Sequence, residues 1–299
     1  MSQHSQSQEQ VLTAAKQTMA AWSRLIESHD EIPAIYKSHF DQYFGRERDF
    51  PHVVWTPALE RFPRRTTEKL ICDTKEALHI FERIGHQIEA TCYPYRDVCG
   101  SEVGIVLLDS WLTVYGKTSK GEASASKIEV NTTSLRYFAS IQRKLRPALD
   151  DTGKAQFALE KNKFNVLAKV NFKFMNFGRD SLLPGETVAQ FLLQPEIRQP
   201  WLTLFGRTFY NTLSFAHLTI LTDHELILLQ DADRNKDSKL SQYGGVWQYI
   251  PLNCIETLTV SEADNNRLTL SIHCQQGRVI NRLFEETQRI ELERLQSQF

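Results

Sequence analysis

The chain has 299 residues, 41% hydrophobic and 24% charged, with Lys+Arg 35 against Asp+Glu 36. A length above the usual ~100–200 residues per domain points to two domains with a core each, and the apolar fraction excludes a chain that stays unfolded. A formal net charge of −1 excludes a surface that attracts nucleic acid over its whole extent and leaves room only for local basic patches.

The five cysteines, Cys72, Cys92, Cys99, Cys254 and Cys274, are odd in number and form no CxxC pair. Neither a disulfide framework nor a zinc knuckle is expected, and they read as buried thiols in a reducing cytosol. The start, MSQHSQSQEQ, has no basic-then-apolar signal pattern. No apolar run reaches the about 18 residues of a spanning helix, so any membrane association is expected to be peripheral.

Taken in order, residues 1–40 read as an N-terminal helical segment. Residues 1–8 are polar, and Val11, Ala15, Met19, Trp22, Leu25 and Ile26 recur at helical spacing over Glu9–His29. Pro33 is placed to start a second helix through Phe40. A first domain is expected over 41–149. It opens with a strand at His52–Leu59 whose Pro51 and Pro57 suggest an edge or bent strand. The basic loop Arg61–Arg65 follows, then a hairpin of Leu70–Cys72 and Ala77–Phe81 around Asp73-Thr74-Lys75-Glu76. Further strands are predicted at Gln87–Tyr93, Asp97–Val98, Val103–Leu108, Trp111–Tyr115 and, after a loop at 116–126, Lys127–Val130. A helix with Thr132 or Thr133 as its cap closes the domain.

Residues 150–176 read as a linker with helical character, in which Phe164–Phe174 is apolar enough to dock. The pattern then restarts over 177–299: Phe177-Gly178-Arg179-Asp180 echoes Phe44-Gly45-Arg46-Glu47, and the hairpin HLTILTDHELILLQD at 217–231 repeats residues 70–82, with Glu225 set opposite Glu76. Ile250–Ile255 aligns with Tyr93–Val98. A last helix is predicted over Val279–Leu295, with Ile280, Leu283, Phe284 and Ile290 on its inner face.

On Leu183-Pro184-Gly185-Glu186, Leu221-Thr222-Asp223-His224-Glu225-Leu226 and Ile250-Pro251-Leu252, with the terminal helix, the second copy resembles the bacterial pleckstrin-homology-like domains, relatives of the PH and GRAM modules. The first copy lacks the LPGE motif and carries Asp73-Thr74-Lys75 in place of the TDH turn. The resemblance implies a mainly β, α+β fold: two bent antiparallel barrels, each capped by a C-terminal helix. It also implies a non-catalytic platform for lipid headgroups, peptides or proteins.

Two candidate sites come from the residues. Arg61, Arg64, Arg65 and Lys69 could meet an anionic ligand, because guanidinium forks match phosphate oxygens, although Glu60 and Glu68 dilute the field. The segment 199–216 carries Trp201, Leu202, Leu204, Phe205, Phe209, Tyr210, Leu213 and Phe215 with Arg207 as its one charge. It must be buried, pair with a partner or touch lipid; burial is the expectation, and Trp201, Leu204, Phe205, Arg207 and Phe209 are the contact candidates otherwise. Asp231–Asp237 starts like a calcium loop, but Lys236 stands where glycine is needed and Gln242 where a bidentate Glu is needed. No metal, cofactor or nucleic acid is expected. The nine histidines form no catalytic motif, and His79, His217 and His273 read as structural. The favoured function is a non-enzymatic, cytoplasmic scaffold that engages a protein partner, with an anionic membrane surface as second choice. The alternative from another class is an enzyme with a non-standard site between the domains.

Overall fold

The structure, a computed structural model, describes residues 22–45, 50–58, 60–61, 64–146, 153–232 and 244–299. The chain forms two compact units: the first runs up to Val98 and resumes over Leu108–Arg143, and the second joins Cys99–Leu107 to Lys144–Phe299.

The first unit opens with strand β1 (Arg24–Ile26), helix α1 (Ala34–Phe44) and strand β2 (His52–Thr56). Of the helix expected over Glu9–His29, residues 9–21 lie outside the described residues, and Arg24–Ile26 pairs with Val53–Trp55 instead. Pairing satisfies the edge of β2, places Ile26 in one cluster with Ile32, Tyr36 and Phe40, and sets the Arg24 guanidinium 4.5 Å over the Trp55 ring. Ribbon β3 (Glu60–Arg61) with β4 (Arg64–Arg65) follows, then β5 (Lys69–Asp73), β6 (Ala77–Ile84) and β7 (Gln87–Pro94). The sheet order β1-β2-β5-β6-β7 makes β2 an interior strand. Pro51 and Pro57 flank it and interrupt no ladder bond, so the expected edge strand is corrected.

Strands β8 (Val98–Val106), β9 (Asp109–Lys117) and β10 (Ala123–Asn131) come next. β9 and β10 pair from Asp109↔Asn131 to Lys117↔Ala123, so the loop expected at 116–126 contracts to a turn closed by Thr118 N donating to Glu122 O at 2.9 Å. The cap of the next 3-10 turn is Asn131, whose side chain accepts from Thr133 N at 3.0 Å. Helix α2 (Ala139–Lys144) then buries Ile141.

In the second unit, helix α3 (Lys154–Asn162), a 3-10 segment at Lys163–Lys169 and helix α4 (Phe172–Ser181) precede strand β11 (Val188–Gln194). The stretch expected as a linker therefore belongs to this unit, and Phe177–Asp180 is the end of α4 rather than the start of a domain. A ribbon of β12 (Ile197–Leu204) and β13 (Arg207–Ser214) leads to β14 (His217–Thr222), β15 (Glu225–Asp231) and β16 (Gly245–Pro251). β11, β14, β15 and β16 lie side by side, and Ser101–Ile105 of β8 extends the sheet beyond Gly245–Tyr249. β17 (Ile255–Ala263), β18 (Arg267–Cys274) and β19 (Val279–Glu285) form a second sheet, and helix α5 (Arg289–Gln296) ends the chain.

Both faces of the β14–β15 hairpin are covered. Leu226 and Leu228 share a core with Leu258, Leu270, Phe284 and Leu292, while Ile227 and Leu229 pack with Phe164, Leu167 and Phe174 on the opposite face. A strand buried on both sides is apolar at nearly every position, which is why 217–231 has so little polar alternation. Residues 279–285 are a strand where a helix is expected. Ile280 and Phe284, four apart, satisfy either period, and as a strand they share one buried face; Ile290 is exposed, while Leu292 and Leu295 are the buried residues of α5.

Among the described residues the strands form open antiparallel sheets and no closed barrel. The mainly β character holds, and in the second unit the two sheets meet through side chains instead of a continuous ladder.

Each half contains one order of elements: helix, strand, two-stranded ribbon, hairpin, strand, 3-10 turn, three strands, 3-10 turn, helix, to which the second half adds a 3-10 turn at Gln275–Gly277 between its last two strands. The register within that order corrects one equivalence. Glu225 pairs with Pro251 and Ala77 with Pro94; Leu252 N donates to His224 O and Tyr95 N to Glu76 O. Glu225 therefore stands where Ala77 does. Matching Glu to Glu slips the frame by one residue, which in a strand exchanges the two faces.

Candidate functional site

The segment expected to be buried is an exposed arm. Among the described residues β12 and β13 pair only with each other, from Ile197↔Ser214 to Leu204↔Arg207, with irregularities at Ile197/Arg198 and Pro200/Leu202. At about 3.3 Å per residue, eight-residue strands reach about 26 Å. At the base, Glu196 pairs with Arg198 and accepts from Thr212 Oγ1 at 2.8 Å. At the tip, Phe205 and Gly206 have φ of 50° and 76°, the pair of positive values that a two-residue hairpin turn of right-handed twist requires. Phenylalanine is an unusual residue for that conformation, and here it is 96% exposed.

Trp201, Leu202, Leu204, Phe209, Tyr210 and Leu213 are also exposed. Cross-strand pairing brings Leu202 beside Phe209 and Pro200 beside Tyr210. The arm is apolar on both faces, so packing one face against the body could not cover it. Its aromatic rings alone present on the order of 500 Å², comparable with the whole largest patch of a typical monomer, about 300–600 Å².

The basic candidates fare differently. Arg61 and Arg64 pair with each other across the β3–β4 ribbon, and Arg65 with Glu60; their side chains lie outside what the structure describes. Lys69 is described and buried. Its Nζ donates to Glu82 Oε1 at 2.8 Å and to Thr67, so its charge is engaged inside the unit and faces no anionic ligand. Burial works against the Glu82 carboxylate, but the hydrogen bonds from Lys69 and Thr67 hold it below its ordinary range. Of the loop that begins like a calcium site, residues 233–243 lie outside the described residues, and Asp231 pairs with Lys173. Among the described residues no group of three His, Cys, Asp or Glu side chains is arranged to hold a metal ion.

No protein-family model matches the chain and no curated protein is similar to it.

A cluster that the sequence reading missed lies under the β14–β15 turn. Arg146 donates through Nε to Glu225 Oε1 at 2.9 Å and through Nη2 to both Glu225 and Glu186, with its guanidinium carbon 4.0 Å from the Tyr249 ring centroid. Both glutamate side chains are fully withdrawn from water and Arg146 nearly so. Burial first, and Glu225 beside it second, push the Glu186 carboxyl up to about 8, against the pull of Arg146. Arg146 stays cationic: burial opposes it, and the carboxylates outweigh burial. The cluster can hold a proton and fix the turn, but it offers no face to a substrate. Two acids flanking an otherwise apolar strand pair were its only trace in the sequence; Arg146 left none.

His79 lies among the rings of Tyr43 and Phe44, and burial lowers its pKa. His217 is buried edge-on to Phe284, with ring centroids 4.8 Å apart, and burial lowers its pKa to about 4. Cys99 and Cys254 are in side-chain contact, which together with burial raises the Cys254 thiol well above its ordinary range. Such thiols are weak nucleophiles.

Proposed function

We propose that the protein is a non-catalytic binding module built from two pleckstrin-homology-like units, and that the arm of β12 and β13 is its contact organ for a partner protein. The repeated order of elements, with four strands in a hairpin-centred sheet, three further strands and a terminal helix, supports the family reading. The exposed arm carries the functional one. Its two open backbone edges suit strand addition by a partner, which supplies main-chain bonds, while Trp201, Leu202, Leu204, Phe205 and Phe209 suit apolar pockets on both sides of that strand. In the first unit the corresponding ribbon has two residues per strand among the described residues, so the contact function is assigned to the second. A cytoplasmic setting is consistent with this reading.

The test is removal of the arm, with residues 198–213 replaced by a short Gly-Ser link, followed by size fractionation of native cell extract. Wild type is expected in an assembly larger than the chain and the armless variant at monomer size. Co-elution of the two would contradict the reading.

A further inference from the structure

A second surface of the same unit differs from the arm in chemistry. Between Gly153 and Ser181 the chain carries Lys154, Lys161, Lys163, Lys169, Lys173 and Arg179 against Glu160 and Asp180, an excess of positive charge in a chain whose total is −1. Glu160 is turned inward: it is buried, accepts from Val188 N at 2.7 Å and pairs with Lys163. Lys173 is taken by Asp231. Lys154, Lys161 and Lys169 meet no carboxylate among the described residues, and Lys161 lies 4.6 Å over the Phe157 ring.

The inner side of this segment is accounted for, since Phe164, Leu167, Phe174 and Met175 pack on the sheet. Other apolar side chains of the segment are exposed. Leu159, Val166, Val170 and Phe172 are 61–70% exposed, interspersed with the unpaired lysines. The free energy of leaving four such side chains in water is recovered only by something that covers them. A folded protein surface complementary to this face would have to place acids opposite lysines that alternate with apolar side chains. An anionic bilayer supplies both chemistries at once and without register: acyl chains at the depth of the apolar side chains and phosphate or carboxylate at the depth of the ammonium groups. Lysine stems reach up from an apolar contact to that headgroup layer.

From this charge complementarity we infer that the face of α3, the 3-10 segment and the start of α4 docks the protein on an anionic lipid surface. Val166, Val170 and Phe172 enter the headgroup boundary, and Lys154, Lys161 and Lys169 hold the lipid charge. This inference does not depend on the identity of the arm's partner.

The test is cosedimentation of the full chain with phosphatidylcholine vesicles with and without phosphatidylserine, at low and high salt. Wild type is expected to bind only the anionic vesicles and to be released by salt. The pair Lys161→Glu/Lys169→Glu and the pair Val166→Ser/Phe172→Ser are each expected to weaken that binding at least about tenfold, since each lysine or buried apolar group contributes on this scale. All four positions are exposed or half-buried, and unchanged circular dichroism and melting would show that the variants fold. An armless variant, with residues 198–213 replaced as above, is expected to bind vesicles as wild type does. Failure of wild type to bind, equal binding to neutral vesicles, or loss in the armless variant with retention in both face pairs would each overturn the inference. None of these results bears on the native assembly size that tests the arm as a protein contact.

Discussion

Thr74 and Thr222 occupy the same place in the two halves. Each hydroxyl accepts from the amide three residues on, Ala77 at 3.0 Å and Glu225 at 3.0 Å, and donates back to that residue's carbonyl at 2.9 and 3.1 Å. A short polar side chain thus closes each hairpin by replacing a backbone turn bond. Thr222→Val keeps the shape and leaves the Glu225 amide without a partner. It is expected to destabilise by about 1–3 kcal/mol, measured by chemical denaturation, with Thr74→Val costing less because its site is partly solvated.

The difference between the halves lies in the residue each threonine grips. Ala77 needs nothing further, whereas Glu225 brings a buried charge network. Glu225→Ala makes the second hairpin like the first and leaves Arg146 buried without its main partner, for an expected loss of about 3–5 kcal/mol. Adding Arg146→Leu is expected to recover most of it, because removing both partners deletes the stranded charge. A double variant no more stable than the single would show that the network does not act as a unit.

Stability should depend on pH in two opposite senses. Glu186 has a folded pKa of about 8, raised above its ordinary carboxylate value, so the folded protein holds a proton that the unfolded chain releases. That contribution is complete below about pH 4.5 and is lost as pH rises through 8, with a limiting slope of about 1.4 kcal/mol per pH unit. His217, lowered to about 4, contributes above about pH 6.5 and loses its contribution as pH falls through 4. Glu186→Gln is expected to flatten the fall in stability between about pH 4.5 and 8 and to leave the loss on acidification through pH 4 that His217 sets. An unchanged fall between those values would remove the proton from Glu186.

Gly178 sits in α4 because Phe164 occupies the space above it. A Cβ there would lie 2.8 Å from the Phe164 ring, so Gly178→Ala is expected to cost about 1–3 kcal/mol by overpacking despite the helix propensity of alanine. Phe164→Leu in the same background should return part of this loss in a thermal melt.

How much of this was legible follows from what each signal encodes. The hairpins and the repeat of element order are written locally, in turn residues and in apolar runs that burial on two faces demands. Val279–Glu285 was not, because Ile280 and Phe284 fit a helix and a strand equally and only the pairing with β18 decides. Trp201, Phe205 and Phe209 were legible as residues demanding cover, but exposure is a tertiary property and the local pattern could not supply it. The Arg146 network was hidden for a related reason: its members are 40 and 79 residues apart, and charge in a sequence does not state its own burial. Lys69 shows the converse, a basic residue beside an arginine-rich loop that is spent internally on Glu82.

Phe205, the most exposed large apolar side chain of the arm, is the most direct probe of contact between the arm and another protein. A photo-crosslinking phenylalanine analogue at Phe205, activated in cells, is expected to give discrete adducts that disappear when Trp201→Ser and Phe209→Ser are added, while the same analogue at exposed Ile84 in the first unit gives none. Adducts at position 205 no different from those at position 84 would contradict the account.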